Sequence, residues 1–174
     1  MIQNERDIRH EMALQAAQQM MVAARTAPKA KGVDLIEIGL ATDAEKQMIV
    51  DEMRRIAETD GLKFFLRDAG NVEAAEAVVL IGTREEAIGL NCGRCGFPLC
   101  TSRTEGVPCA FNSVDVGIAV GSACRTAMNL CVDTRVMYSA GRAAQQIGIP
   151  TAASRQVIAI PVSISSKSPF FDRK

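Results

Sequence analysis

The sequence predicts an α+β or α/β domain with about four helices around a sheet of about four strands. Three observations carry this expectation. The run Ala77-Val-Val-Leu-Ile81 is continuously apolar, as a sheet interior requires. Two segments, near the start and between residues 112 and 131, hold apolar or small residues at helical spacing. The 174 residues are 48% apolar and 23% charged, which suits a single domain and excludes a mainly disordered chain. Residues 1–174 are read as that one domain, with 91–111 as a cysteine-rich loop inside it.

The first helix is expected from about Asn4 to Ala27, with Ile8, Met12, Ala16, Met20 and Ala23 on its inner stripe, and Pro28 stops it. Asp34 to Leu40 reads as a strand. Thr42-x-x-Glu45 reads as a capping box, opening a helix that runs to Thr59 and ends at Gly61. Lys63 to Leu66 reads as a short strand. Asn112 or Ser113 caps a helix reaching about Cys131, apolar over so wide an arc that it belongs in the core. Its Gly117 and Gly121 would let another backbone approach closely. Asp133 is read as the cap of one more helix, ending at Gly148. Gln156 to Ser163 reads as a last strand, which Pro161 would demote to an edge or a bulge. The tail from Ser165 to Lys174 is expected at the surface or against a partner chain.

Twenty basic residues balance twenty acidic ones, so the chain does not advertise nucleic acid or anionic lipid as a partner. No apolar stretch approaches the ~20 residues a bilayer requires, and the polar start does not read as a secretory signal. The expected setting is cytoplasmic. In a reducing compartment, clustered cysteines point to metal or redox chemistry rather than to disulfides.

Four of the six cysteines lie in the aperiodic loop, in Cys92-Gly-Arg-Cys95-Gly-Phe-Pro-Leu-Cys100 and Val-Pro-Cys109. Four thiolates are what one 4Fe–4S cubane requires. Two cysteines separated by two residues can wrap a turn around one metal corner. Neighbouring glycines let backbone N–H groups approach the inorganic sulfurs, and Arg94 and Arg103 can offset negative charge. The candidate metal ligands are therefore Cys92, Cys95, Cys100 and Cys109. Structural zinc also uses C-x2-C pairs and remains open, as do free or transiently oxidised thiols. Cys124 and Cys131 sit seven residues apart on one helical stripe, roughly 10 Å along the axis, and read as small hydrophobes. Cys124 stays open as a substitute for Cys109.

No other constellation competes. His10, the only histidine, reads as solvated, and one histidine gives little support to a nucleophilic triad. Neither a P-loop nor a dinucleotide glycine motif is present. Arg25, Lys29 and Lys31 read either as a solvated basic loop or as an anion or cofactor-phosphate contact.

The loop 91–111 resembles the C-x2-C-G-x3-C modules of the corrinoid iron–sulfur protein family, although their fourth cysteine comes considerably later. The whole chain looks like a family of small bacterial and archaeal proteins containing a ferredoxin domain. The phrases Ala23-Ala-Arg-Thr-Ala-Pro-Lys-Ala-Lys-Gly32, Leu90-Asn-Cys-Gly-Arg-Cys-Gly96, Val107-Pro-Cys-Ala-Phe-Asn112, Gly117-Ile-Ala-Val-Gly-Ser122 and Asp133-Thr-Arg-Val-Met-Tyr-Ser139 carry that likeness. Ala24-Arg-Thr-Ala-Pro28, leading into Lys29 to Gly32, is also similar to the flavin-dependent nitroreductases. That resemblance implies a nitroreductase-like α+β sandwich, an intertwined homodimer, and a loop contacting FMN. The arginine-rich stretch that grips flavin phosphate in those enzymes is absent here, and Arg6 and Arg9 are poor substitutes.

Three functions follow as expectations. The first is a 4Fe–4S protein exchanging single electrons with a redox partner protein or small carrier. The second is an iron–sulfur flavoenzyme using FMN. The third is a binding or assembly protein with a structural zinc clip. The sequence offers no catalytic set beyond the cysteines.

Overall fold

The computed structural model describes residues 2–171. At its centre lies β2 (Ala77–Arg84), in which Ala77 to Ile81 have no exposed surface. Its side chains alternate between two faces, so a strand buried on both must be apolar throughout. β2 pairs antiparallel with β1 (Ile36–Ala41) on one side and β4 (Ser154–Ser163) on the other. A two-residue edge strand, β3 (Asp133–Thr134), completes the order β1-β2-β4-β3.

Helices cover both faces. On one side, Val78 and Leu80 pack with Ile49, Met53 and Ile56 of α2 (Asp43–Thr59), Phe65 of α3 (Phe64–Glu73), and Ala140 and Ala144 of α5 (Tyr138–Gln146). On the other, Val79 and Ile81 meet Met20 of α1 (Glu5–Thr26) and Ala119 and Ala123 of α4 (Ala110–Asn129). Each large apolar side chain fully buried here contributes roughly 2 kcal/mol of transfer free energy. α1 and α4 meet through alanines, namely Ala16, Ala17 and Ala24 against Ala119, Ala123 and Ala127. Small residues let the two helices approach closely, and this turns the buried face of α1 away from the expected stripe, leaving Met12 42% exposed.

Several local expectations are corrected. Lys63 to Leu66 is not a strand. It leads into α3, whose Phe65, Ala69 and Val72 are spaced for a helix face and buried. The Thr42 side chain makes no capping bond, although Asp43 and Glu45 still place negative charge in the first turn of α2. The helix expected from Asp133 begins only at Tyr138, because Asp133 and Thr134 pair with Ser163 and Val162 as β3. The helices thus number five among the described residues.

Pro161 does not mark an edge. β4 is interior, and Pro161 pairs with Val78. The Ala159 N–H points to the β3 side, where it donates to Met137 O at 3.1 Å. Position 161 faces the same way, two residues on, into the gap between Thr134 and Met137 where β3 pairing lapses. The missing N–H therefore costs the β2 ladder nothing. The tail is not merely superficial as far as Phe171. Phe170 is buried in the α2/α3/α5 layer, and its carbonyl accepts from Arg135 at 2.9 Å. The remainder of that expected segment, residues 172–174, lies outside the described residues.

α5 crosses β4 at Gly141, where an added Cβ would lie 2.0 Å from the carbonyl oxygen of Val157. Backbone cannot yield as a flexible side chain can. Gly141→Ala should destabilise the fold by about 3 kcal/mol or more. Urea unfolding monitored by circular dichroism measures this, and a loss under 1 kcal/mol contradicts so close a crossing.

Candidate metal centre

Between Arg84 and Ala110 the chain leaves the sandwich and returns with one 3-10 turn, Cys100–Ser102, as its regular structure. Its conformation is set by tight turns. Gly96 donates its N–H to Gly93 O at 3.0 Å and Val107 to Thr104 O at 3.2 Å. Gly93 and Gly96 have φ of 71° and 89°, with open space where a Cβ would stand. Glycine is needed there for the backbone conformation and not for packing.

These turns bring Cys92, Cys95, Cys100 and Cys109 to the wall of one small pocket. Ile88, Phe97 and Phe111 supply apolar wall, and Arg103 adds a cation. Burial grades across the four thiols: Cys92 is exposed, Cys95 and Cys100 are intermediate, and Cys109 is buried. The floor is a small cluster of Leu35, Ile88 and Cys109, with Ala30 and Phe111 against it.

Two anchors fix this arrangement. Asn91, at φ 48°, clasps Cys100: its N–H donates to the Cys100 Sγ at 3.3 Å, and its Oδ1 accepts from the Cys100 N–H at 2.8 Å. N–H donation to a thiolate is the kind of bond that tunes metal–sulfur centres. Cys109 is the N-cap of the twenty-residue α4, whose partial positive end therefore faces the pocket. Asn112, in the first turn, is almost fully buried and donates from Nδ2 to Arg84 O at 3.2 Å and Glu86 O at 2.9 Å. Buried Asp115 accepts the Ala30 N–H on both oxygens, at 3.1 and 3.2 Å. The sequence offers Asn112 as a helix cap and assigns Asp115 no distant partner. Their roles as clasps depend on contacts to residues 26 to 85 positions away, which no local pattern carries.

The other expected groups are placed elsewhere. Cys124 packs beside the α1/α4 layer, where burial pushes its thiol pKa up, and Cys131 is exposed beyond the end of α4. Neither lines the pocket. His10 Nδ1 lies 2.8 Å from Glu76 Oε2 on an open surface. Lys29 turns inward and donates to the last carbonyls of α1, including Ala27 O at 2.8 Å. Arg25 pairs with Asp34 at 2.7 Å. Burial raises the Asp34 carboxyl, but the Arg25 hydrogen bond, the Ile36 N–H and the charges of Arg25 and Lys29 outweigh it and hold its pKa below the ordinary value. Among the described residues, no three His, Cys, Asp or Glu side chains converge tightly enough to grip a single ion, and no helix is long and apolar enough to cross a membrane.

The architecture is that of the nitroreductase-like proteins. It is similar to a putative NADH dehydrogenase/NAD(P)H nitroreductase from Bacteroides thetaiotaomicron (TM-score 0.57, 11% identity, 88% of this chain and 74% of that one). It is also similar to a nitroreductase-like family protein from Bacillus cereus (0.57, 11%, 92% and 79%). An FMN-dependent nitroreductase from Clostridium difficile gives 0.55 at 17% identity, over 88% and 76% of the two chains. Identities this low speak for the fold alone. The family described as uncharacterized proteins containing a ferredoxin domain (DUF2148) matches residues 105–173, a span that holds Cys109 but not the other three pocket cysteines. An uncharacterized protein of Archaeoglobus fulgidus is 40% identical over 183 aligned positions, 99% of this chain and 98% of its own. The chain belongs to this ferredoxin-domain family.

Asn112→Ala removes the donor to two carbonyls at the root of the loop. It should cost about 1–3 kcal/mol in urea unfolding. Hydrogen exchange should rise around residues 84–90 before it rises in β2. Unchanged exchange there would mean that Asn112 does not hold the loop.

Proposed function

We propose that the chain binds one 4Fe–4S cluster through Cys92, Cys95, Cys100 and Cys109 and acts as an electron-transfer protein. The convergence of four cysteines from one loop on one pocket carries this reading. The donor set fits the group. Four thiols are available, an N–H already donates to one sulfur, and a helix N-terminus faces another. Lys31, Arg94 and Arg103 stand around the pocket without an ion-pair partner among the described residues, as a negatively charged cluster would favour.

The sequence pattern favours the cluster over zinc: Cys92, Cys95 and Cys100 fall within nine residues of one loop, whereas structural zinc sites commonly pair two separate C-x2-C turns. When bound, the cluster supplies one-electron exchange. The chain's own residues would position the sulfurs, screen the inner ones from water and orient N–H groups toward them. The partner would be a redox protein or a small electron carrier.

A second reading adds FMN, as in the fold relatives whose descriptions include it. The fold and the helix-to-loop phrase favour it. The engagement of Arg25 and Lys29 within the chain weighs against a phosphate grip from that loop.

Protein purified without oxygen should yield about four irons and four sulfides per chain and a broad visible band that dithionite bleaches. Cys95→Ser should lose that band and Cys131→Ser should keep it. One zinc without sulfide, or equal loss in both variants, defeats the assignment. Released flavin in the same samples decides the second reading.

The reading extends to a homodimer. The outer face of α4 leaves Val114, Gly117, Ile118, Gly121 and Met128 exposed, with open space over both glycines. An isologous helix contact through small residues would cover it. Light scattering should give twice the chain mass, and Gly121→Glu should reduce it to one. A monomeric wild type rejects this assembly.

A further inference from the structure

We infer that the four corners of the centre are unequal, and that the iron at Cys92 is the labile one, surrendered first to a one-electron oxidant. This rests on the cluster reading and adds a redox-responsive site to it. Three of the ligands are individually secured. Cys109 is 7% exposed, caps α4 and packs on Leu35 and Ile88. Cys100 is tied to Asn91 by two reciprocal hydrogen bonds and begins a 3-10 turn. Cys95 is half-buried between Arg94, whose guanidinium lies 6.0 Å above the Phe111 ring, and Gly96, whose N–H closes the turn onto Gly93.

Cys92 is supported only through its neighbours, Asn91 bonded to Cys100 and Gly93 closing the turn with Gly96. It is exposed, and no hydrogen bond to its sulfur is found among the described residues. It is flanked by Asn91 and Gly93, both at positive φ, and open space stands over Gly93. Water and small oxidants therefore reach that corner first, and a departing ion there enters solvent directly.

If the cluster is bound as [4Fe–4S]2+, loss of one electron to the oxidant and of one Fe2+ to solvent would leave a [3Fe–4S]+ core for Cys95, Cys100 and Cys109 to hold, and the freed Cys92 thiolate would take one proton from water. With ferricyanide as the oxidant, the electron ends on ferrocyanide. The result is a graded response, in which mild oxidation removes one iron from the rim while the buried ligands keep the remainder.

The test uses the full chain purified without oxygen and assayed for iron and sulfide. Ferricyanide is added until the near-isotropic resonance of a three-iron core is maximal. Iodoacetamide then labels free thiols. After unfolding, N-ethylmaleimide blocks the rest, and peptide mass spectrometry reads each cysteine. Cys131, exposed and outside the pocket, marks complete labelling. Cys92 should carry about tenfold more iodoacetamide label than Cys109, with Cys95 and Cys100 near the Cys109 level. Label falling first on Cys95, Cys100 or Cys109, equally on all four, or no three-iron resonance in an iron-loaded sample overturns the inference while leaving the cluster intact as a proposal. A sample with no iron and sulfide before oxidant overturns both.

Discussion

The buried side chain of Asn112 is the interaction on which the cysteine-bearing region depends. It sits in the first turn of α4 and holds the backbone of residues 84 and 86, where the chain departs from β2. One amide thus joins the two ends of a long excursion, with Cys109 three residues before it. Asp115, one turn further on, joins the loop after α1 to the same helix end. Both side chains are buried and their bonds partly so, which makes losing either partner costly. The pocket is placed by these clasps and by the apolar floor beneath Cys109. The turns inside the loop refine a position already set.

Legibility from sequence followed the range of the forces involved. The apolar run of β2, the Pro28 stop after α1 and the concentration of cysteines in one aperiodic segment are local statements, and the structure agrees with them. Pro161 misled because its missing donor matters only on one side of the strand. That side faces the lapse between Thr134 and Met137, which depends on residues 24 to 27 positions earlier. Lys63 to Leu66 misled because a four-residue window cannot separate a strand from the first turn of an amphipathic helix. The inner face of α1 departs from the apolar stripe because close packing against α4 selects alanine over larger side chains. For the site, the four cysteines were visible by spacing, and the clasps were not.

The basic residues around the end of α1 illustrate how a shared motif can serve a different end. In a flavin enzyme such a loop invites a phosphate. Here the Lys29 ammonium satisfies carbonyls that the helix leaves unpaired at its C-terminus, which also suits the macrodipole. Arg25 is held by Asp34 and by Ile36 O. Lys31 instead reaches Ile88 O on the wall of the cysteine pocket. The remaining cation of the stretch thus meets the start of the cysteine-bearing loop.

The loop and the sandwich answer to different stabilising terms. The two apolar layers that enclose the sheet involve none of the four pocket cysteines. The loop has little ladder or helix of its own, and a structureless stretch of this length inside a domain is uncommon unless it has a function. Metal–thiolate bonds would divide it into short closed segments, restricting its open forms far more than its few turn bonds do. Losing the metal would then release the rim of the loop first, at Cys92, and leave Cys109 held by α4 and the floor beneath it. A metal bound there would be lost and regained without unfolding the protein, because α4 and the apolar floor place Cys109 without it.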